Sequence, residues 1–268
     1  MSTINTNINS LNAQRNLAGS ANSLATSMSR LSSGLRVNSA KDDAAGLAIA
    51  ERMNAQTRGM NVAIRNANDA ISLAQTAEGA LGAISNNLQR MRELAVQASN
   101  GTNSSTDIAS MDAEYKLLAN ENTRVALATT FNSKSVIAAA TFDFQIGANN
   151  TAANDTISVT ATSFSGTATT LGSATSTAFA EISKLDADIN TVSTARATWG
   201  ATQNRFDSVI NNLRVGAENS AAARGRIMDA DYASETANLS RAQVLQQAGT
   251  AMVAQANQAP QSVLALLR

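Results

Sequence analysis

Residues 64–95 decide the fold, and they read IRNANDAISLAQTAEGALGAISNNLQRMRELA. Apolar side chains recur in this stretch every three or four residues, the spacing that places them on one face of a helix. That face consists of Ile64, Ala67, Ile71, Ala74, Ala77, Leu81, Ile84, Leu88, Met91 and Ala95. A helix from residue 44 to residue 100 would be about 85 Å long, at about 1.5 Å per residue. Because a globule of 268 residues cannot enclose such a helix, the pattern predicts a rod.

Similar stripes lie on both sides of this helix. Residues 100–103 (NGTN) interrupt it, and a short connection should lay the next helix antiparallel to it. The other stripes run from Ile4 to Leu35, from Ile108 to Val125, from Phe179 to Leu213 and from Leu245 to Leu266. We therefore predict a mainly α fold: a long antiparallel α-helical coiled-coil rod with a small β-hairpin insertion, and with the two termini paired as a helical hairpin.

The insertion is predicted from a change in composition between residues 131 and 178. Charged residues become rare there, and Phe142, Phe144 and Ile146 alternate with polar residues, as do Ile157 and Val159. Such alternation is typical of hairpin strands. The predicted organisation is a terminal arm at 1–44, rod helices at 45–130, the β-hairpin insertion at 131–178, a further rod helix at 179–234 and a second terminal arm at 235–268.

Composition excludes several classes of function. The chain has no cysteine and no histidine, which removes thiol chemistry, the usual general base and the commonest metal ligands. Twenty basic residues balance twenty acidic ones, so a nucleic-acid partner is not expected. No run of about twenty apolar residues predicts membrane insertion, and the first residues do not resemble a secretory signal. We predict no catalytic residue, no cofactor and no metal site, and hence no enzyme.

The two ends carry the strongest functional signal. Residues 1–14 and 242–267 contain no charged side chain, although exposed helices normally carry charge. Uncharged helices with apolar stripes suit burial among other uncharged helices. We predict that these stripes are polymerisation seams, loose in the monomer and ordered on assembly; the alternative is a helix docked on its own chain. The predicted seam residues are Ile4, Ile8, Leu11, Leu17, Leu24, Met28, Leu31, Leu245, Met252, Val263 and Leu266.

Signatures at both ends resemble those of bacterial flagellins. Residues 31–49 (LSSGLRVNSAKDDAAGLAI) are similar to the N-terminal signature of that family, and residues 241–268 to its C-terminal signature. Residues 4–8 (INTNI) and 144–149 (FQIGAN) match as well. Two signatures in the right order at the right ends are far more specific than one short motif.

The resemblance implies a structural subunit that polymerises with many copies of itself into the extracellular bacterial flagellum. It implies export without a cleavable signal, through the flagellar type III apparatus, with a cytosolic chaperone holding the C-terminal arm. Filament cap and hook-junction proteins are the further implied partners. The short central region implies a slim filament, and the family's usual Phe-Asn-Gly is Phe131, Asn132 and Ser133 here. Alternatives are the hook-filament junction protein and a non-flagellar coiled-coil adaptor.

A second patch resembles the surface by which many flagellins engage a host Toll-like receptor. Its residues are Gln89, Arg90, Glu93, Leu94 and Glu114. The alternative interpretation is that Arg90 and Glu114 are solvated charges and that Leu94 contacts a neighbouring subunit.

Overall fold

A computed structural model describes residues 6–161 and 164–265; for residue 152 and residues 259–265 it describes the backbone alone. Most of these residues are helical, as predicted. The helices are α1 (Ile8–Ser33), α2 (Ala44–Ala98), α3 (Ser105–Ala128), α4 (Ala152–Asp155), α5 (Thr175–Met228) and α6 (Tyr232–Ala265). The strands are β1 (Thr130–Phe131), β2 (Lys134–Ser135), β3 (Thr141–Gln145) and β4 (Thr156–Thr160).

The chain forms two compact units, one from Met1–Ala55 with Asn219–Arg268 and the other from Gln56–Glu218. The limits of these units, at residues 55 and 218, fall inside α2 and α5. The predicted domain limits, at residues 44 and 234, lie instead near the ends of predicted helices. The break between α5 and α6 lies at residues 229–231. Asp231 caps α6 there, because its carboxylate accepts hydrogen bonds from the amides of Ala233 and Ser234.

The larger unit is built on the predicted face of α2. Leu81, Ile84, Leu88 and Met91 are each at most 2% exposed, and they pack with side chains of α3 and α5. The many alanines of this face are buried too, which allows close approach of neighbouring helices. The antiparallel pairing of α3 with α2 is confirmed, because Asn87 bonds to Asn122 at 2.9 Å whereas Arg90, further along α2, pairs with Glu114, which comes earlier on α3.

The starts of α2 and α3 are set by polar side chains. Ser104 and Asp107 form a capping box at the start of α3. At the start of α2, the Asp43 carboxylate accepts from the Gly46 amide at 2.8 Å. Ser39 does not cap α2; its hydroxyl donates to the Asp42 carboxylate in a turn ahead of the helix.

The insertion contains two antiparallel hairpins. β3 pairs with β4 so that Phe142 lies opposite Val159 and Phe144 opposite Ile157, which confirms the predicted strands. The ring of Phe144 meets that of Phe206 on α5 edge to face, with 5.4 Å between their centroids. The hairpin thereby packs its apolar face on the helical core.

The β1–β2 hairpin turns at Asn132 and Ser133. Their φ values are 49° and 64°, so both residues lie in the left-handed region that a two-residue hairpin turn requires. Asparagine tolerates that region, but serine adopts it at a cost, since its Cβ crowds the following carbonyl. The departure from Phe-Asn-Gly therefore leaves local strain at Ser133.

Candidate functional site

The pairing of α1 with α6 forms the candidate site. α1 begins at the Asn7 cap, whose side chain accepts from the Ser10 amide, and ends at Gly34, which has a φ of 70°. Glycine is favoured at such a left-handed helix end because it has no Cβ. These signals fix the length of α1 and so the side chains it presents to α6.

One part of the predicted seam packs inside the molecule. Leu17, Leu24 and Leu31 are half-buried on α1. At Leu17 the partner is Gly249 of α6: a Cβ at Gly249 would lie 3.0 Å from the Leu17 Cδ1 atom. The glycine therefore leaves room for the leucine, and the two helices approach closely at this level.

Polar bonds that sequence reasoning missed tie the same two helices together. The Asn7 side chain donates to the Ala256 carbonyl at 2.7 Å. The buried Ser10 hydroxyl donates to the Asn257 side chain, also at 2.7 Å. The absence of charge in both segments was the available signal, because uncharged polar side chains can pair in a seam without the desolvation cost of ions.

The other part of the predicted seam is uncovered. Ile8, Leu11, Met28, Leu245 and Met252 are between 52% and 64% exposed. Val244, which the sequence analysis did not select, is equally exposed. Of the remaining predicted residues, Ile4 and Leu266 lie outside the described residues, and Val263 is described by its backbone in α6 alone.

An open groove of about 650 Å³ runs between α1 and α6. Its lining is entirely uncharged, with the apolar side chains of Leu17, Leu245 and Met252 beside amides and hydroxyls such as those of Asn12 and Ser20. Such a surface offers apolar area and hydrogen bonds to another uncharged helix, and it has no charge with which to hold an ionic ligand.

The predicted receptor patch is partly at the surface. The Arg90 guanidinium contacts Glu114 at 2.8 Å and Glu93 at 3.0 Å. The hydrogen bonds that Arg90 donates to Glu114 first, and then to Glu93, raise the pKa of Arg90 above its ordinary value. Gln89 is exposed as well. The placement of Leu94 on this surface is wrong, because it is 2% exposed and belongs to the helical core.

The buried acids of the larger unit have structural partners. Asp112 accepts from the Leu171 amide and the Thr170 hydroxyl, and Asp188 accepts from the Thr167 amide and hydroxyl. These bonds hold the segment before α5 against α3 and α5. In the part of the chain that the structure describes, no group of three metal-ligating side chains occurs and no helix is suited to cross a membrane.

Comparison with known proteins identifies the family. The family model for the bacterial flagellin N-terminal helical region matches residues 4–141, and that for the C-terminal helical region matches residues 182–267. A flagellin of Halalkalibacterium halodurans is 44% identical over 271 residues, covering 99% of both chains. A flagellin of Xenorhabdus nematophila is 42% identical over 314 residues, covering 100% of this chain and 99% of its own.

A solved structure agrees with these sequence matches. The crystal structure of Bacillus cereus flagellin is 40% identical in sequence and superposes with a TM-score of 0.51, covering 60% of this chain and 94% of that one. The named relatives are flagellins along their full length, which favours a filament subunit over a junction protein or an adaptor. The chain therefore belongs to the bacterial flagellin family and is a structural subunit of the flagellar filament, not an enzyme.

Proposed function

We propose that the apolar side chains left exposed on α1 and α6 are the contacts through which subunits polymerise. In this proposal, arms 1–44 and 235–268 form the assembling part of each subunit. Segments 45–130 and 179–234 form its rod, and residues 131–178 are a small outer insertion. Leu17, Leu24 and Leu31 pair the arms within a subunit, and Ile8, Leu11, Met28, Leu245 and Met252 reach neighbouring subunits.

One observation carries this proposal: two long helices without charge near their outer ends keep large apolar side chains uncovered. Burying apolar area stabilises by about 25 cal/mol per Å², and contiguous exposed apolar area marks an interaction surface. The groove between the helices is equally uncharged. Neighbouring arms of the same composition would cover these side chains without burying an ion.

Replacing Leu245 and Met252 together by glutamine tests this assignment. The double variant should keep its monomer stability, because both side chains are exposed, but it should polymerise poorly on preformed seeds. The matched control replaces Leu117 and Leu127, which are 70% and 74% exposed in the larger unit; it should polymerise like the unaltered chain. Sedimentation of the polymer measures both, and normal polymerisation of the first variant would contradict the proposal.

We propose further that the chain leaves the cell unfolded through the flagellar export apparatus, with a chaperone on its C-terminal arm and with cap and hook-junction proteins receiving it. The exposed apolar side chains of α6 support this, since they require cover before assembly. Removing residues 242–268 should abolish capture by the chaperone and leave the larger unit folded. Undiminished capture would contradict the proposed binding site.

A host Toll-like receptor is the last proposed partner, at the surface formed by Gln89, Arg90, Glu93 and Glu114. The ion pairs at Arg90 support this surface, because they hold the side chains of two helices in one arrangement. Arg90→Ala should weaken activation of the receptor by the monomer. Arg124→Ala is a control, since Arg124 is also exposed and paired with a glutamate, Glu121, but within one helix. Equal potency of the two variants would remove the proposal.

A further inference from the structure

The connection between α2 and α3 contains the one Asn-Gly pair of the chain, Asn100 and Gly101. The pair is exposed and lies in a turn. Among the described residues, neither the Asn100 carboxamide nor the Gly101 amide has a hydrogen-bond partner. An asparagine side chain and the amide that follows it can react with each other when both are free and the backbone can turn.

A second asparagine in the same connection provides an internal comparison. The Asn103 carboxamide donates to the Gln97 carbonyl at 2.6 Å. The next amide, that of Ser104, donates to the Asp107 carboxylate at 3.0 Å as part of the α3 capping box. The Asn103 carboxamide and the Ser104 amide are therefore both hydrogen-bonded. Within the described ranges, the corresponding groups of Asn100 and Gly101 are not.

We propose that Asn100 is a site of spontaneous, age-dependent deamidation. The Gly101 amide nitrogen loses its proton and attacks the Asn100 side-chain carbonyl carbon, forming a new C–N bond. The bond from that carbon to the side-chain nitrogen breaks, and the nitrogen leaves as ammonia. Water then opens the resulting succinimide at either carbonyl, giving aspartate or isoaspartate. One water is consumed and one ammonia released, with no oxidation or reduction.

The product changes the end of α2. It adds a carboxylate close to the C-terminal end of the helix, where the macrodipole is negative and the last turn has no basic residue. The isoaspartyl product also lengthens the backbone of the connection by one methylene group. The subunit thus acquires a charge difference that records its age.

The test uses the full-length chain, incubated for days at neutral and at mildly alkaline pH. Trypsin releases residues 93–116 as one peptide that contains both asparagines, and fragmentation locates any exchange of NH₂ for OH. Methylation by a protein isoaspartyl methyltransferase identifies the isoaspartyl product. We expect modification at Asn100, faster at the higher pH, and none at Asn103. An unmodified Asn100, or equal modification at both positions, would overturn the proposal.

Gly101→Ala is the mechanistic control. Gly101 has no positive φ, and a Cβ there would meet nothing within 4 Å, so the variant should fold normally. The added methyl group hinders the attacking nitrogen, and modification of Asn100 should become much slower than in the unaltered chain. Unchanged modification in Gly101→Ala would overturn the role of the Gly101 amide.

Discussion

The two compact units of this flagellin use apolar side chains in opposite ways. In the larger unit, the apolar face of α2 is buried by α3, α5 and the β3–β4 hairpin, so that Leu88 and Met91 are 1% exposed. In the smaller unit, α1 and α6 cover only part of each other, and leucines such as Leu11 and Leu245 remain more than half exposed. The larger unit thus completes a core within one chain, although Leu117 and Leu127 stay exposed on α3. The exposed apolar side chains Leu245 and Met252 of the terminal helices instead line an uncharged groove that other subunits can fill.

The largest expected effect separates these two uses directly. Leu88→Ala should lower the free energy of unfolding of the monomer by about 2–5 kcal/mol, because it leaves a cavity in a filled core. Leu245→Ala makes the same chemical change on an exposed side chain and should alter monomer stability by no more than about 0.5 kcal/mol. Denaturant unfolding of the monomer measures both. Equal destabilisation by the two variants would contradict the comparison.

The pairing of α1 with α6 should be sensitive at Gly249. Gly249→Val would press on Leu17 and should cost about 1–3 kcal/mol in the local stability of the pair, as overpacking does. Gly19→Val is the matched control, since a Cβ at Gly19 meets nothing within 4 Å. Amide exchange of α1 in the polymer gives the local stability. Equal loss of amide protection in Gly19→Val and Gly249→Val would contradict the claim that the close contact between Leu17 and Gly249 stabilises the pair.

A smaller effect is expected at the β1–β2 turn. Ser133→Gly should stabilise the larger unit by about 1 kcal/mol, because glycine adopts a left-handed φ without a Cβ clash. Ser135→Gly, two residues later in β2, should instead destabilise slightly, since glycine in a strand loses more conformational freedom. Thermal unfolding of the two variants should therefore shift in opposite directions. A shift in the same direction would refute the strain assigned to Ser133.

The smallest expected effect is a dependence on pH at Asp112. Burial acts to raise the pKa of Asp112, but hydrogen bonds from Lys116, Thr170 and the Leu171 amide together hold that pKa below its ordinary value of 3.8. The associated stability is therefore present above pH 3.8 and is lost as the pH falls through the folded-state pKa. Asp112→Asn should show a smaller loss of unfolding free energy than the unaltered chain over that acid range. Identical acid profiles would exclude the contribution.

Much of the fold was predictable because helical periodicity is a local property. The stripe from Ile64 to Ala95 predicted α2, and the alternation at Phe142, Phe144, Ile157 and Val159 predicted the β3 and β4 strands. The start of α2 was harder to predict: residues 39–42 match the helix-start motif S-x-x-D, yet Asp43 rather than Ser39 caps the helix. Caps depend on backbone angles, which a short motif does not determine.

The candidate site was predictable only in part, because a stripe does not reveal which of its members are covered. Leu17 and Leu11 belong to the same predicted seam. Leu17 packs on Gly249, whereas Leu11 remains 56% exposed. Leu94 lies beside charged residues in sequence, but the helix turns it into the core. The burial of each side chain depends on which helix packs against it, and the sequence of one segment does not determine its neighbour.

Amide hydrogen exchange of the same protein as monomer and as polymer tests the central claim most directly. We predict that amides of α1 and α6 exchange much faster than those of α2 in the monomer, and that polymerisation slows them strongly while α2 changes little. Terminal helices that are already as protected as α2 in the monomer, and that gain nothing on polymerisation, would contradict the claim that neighbouring subunits cover them.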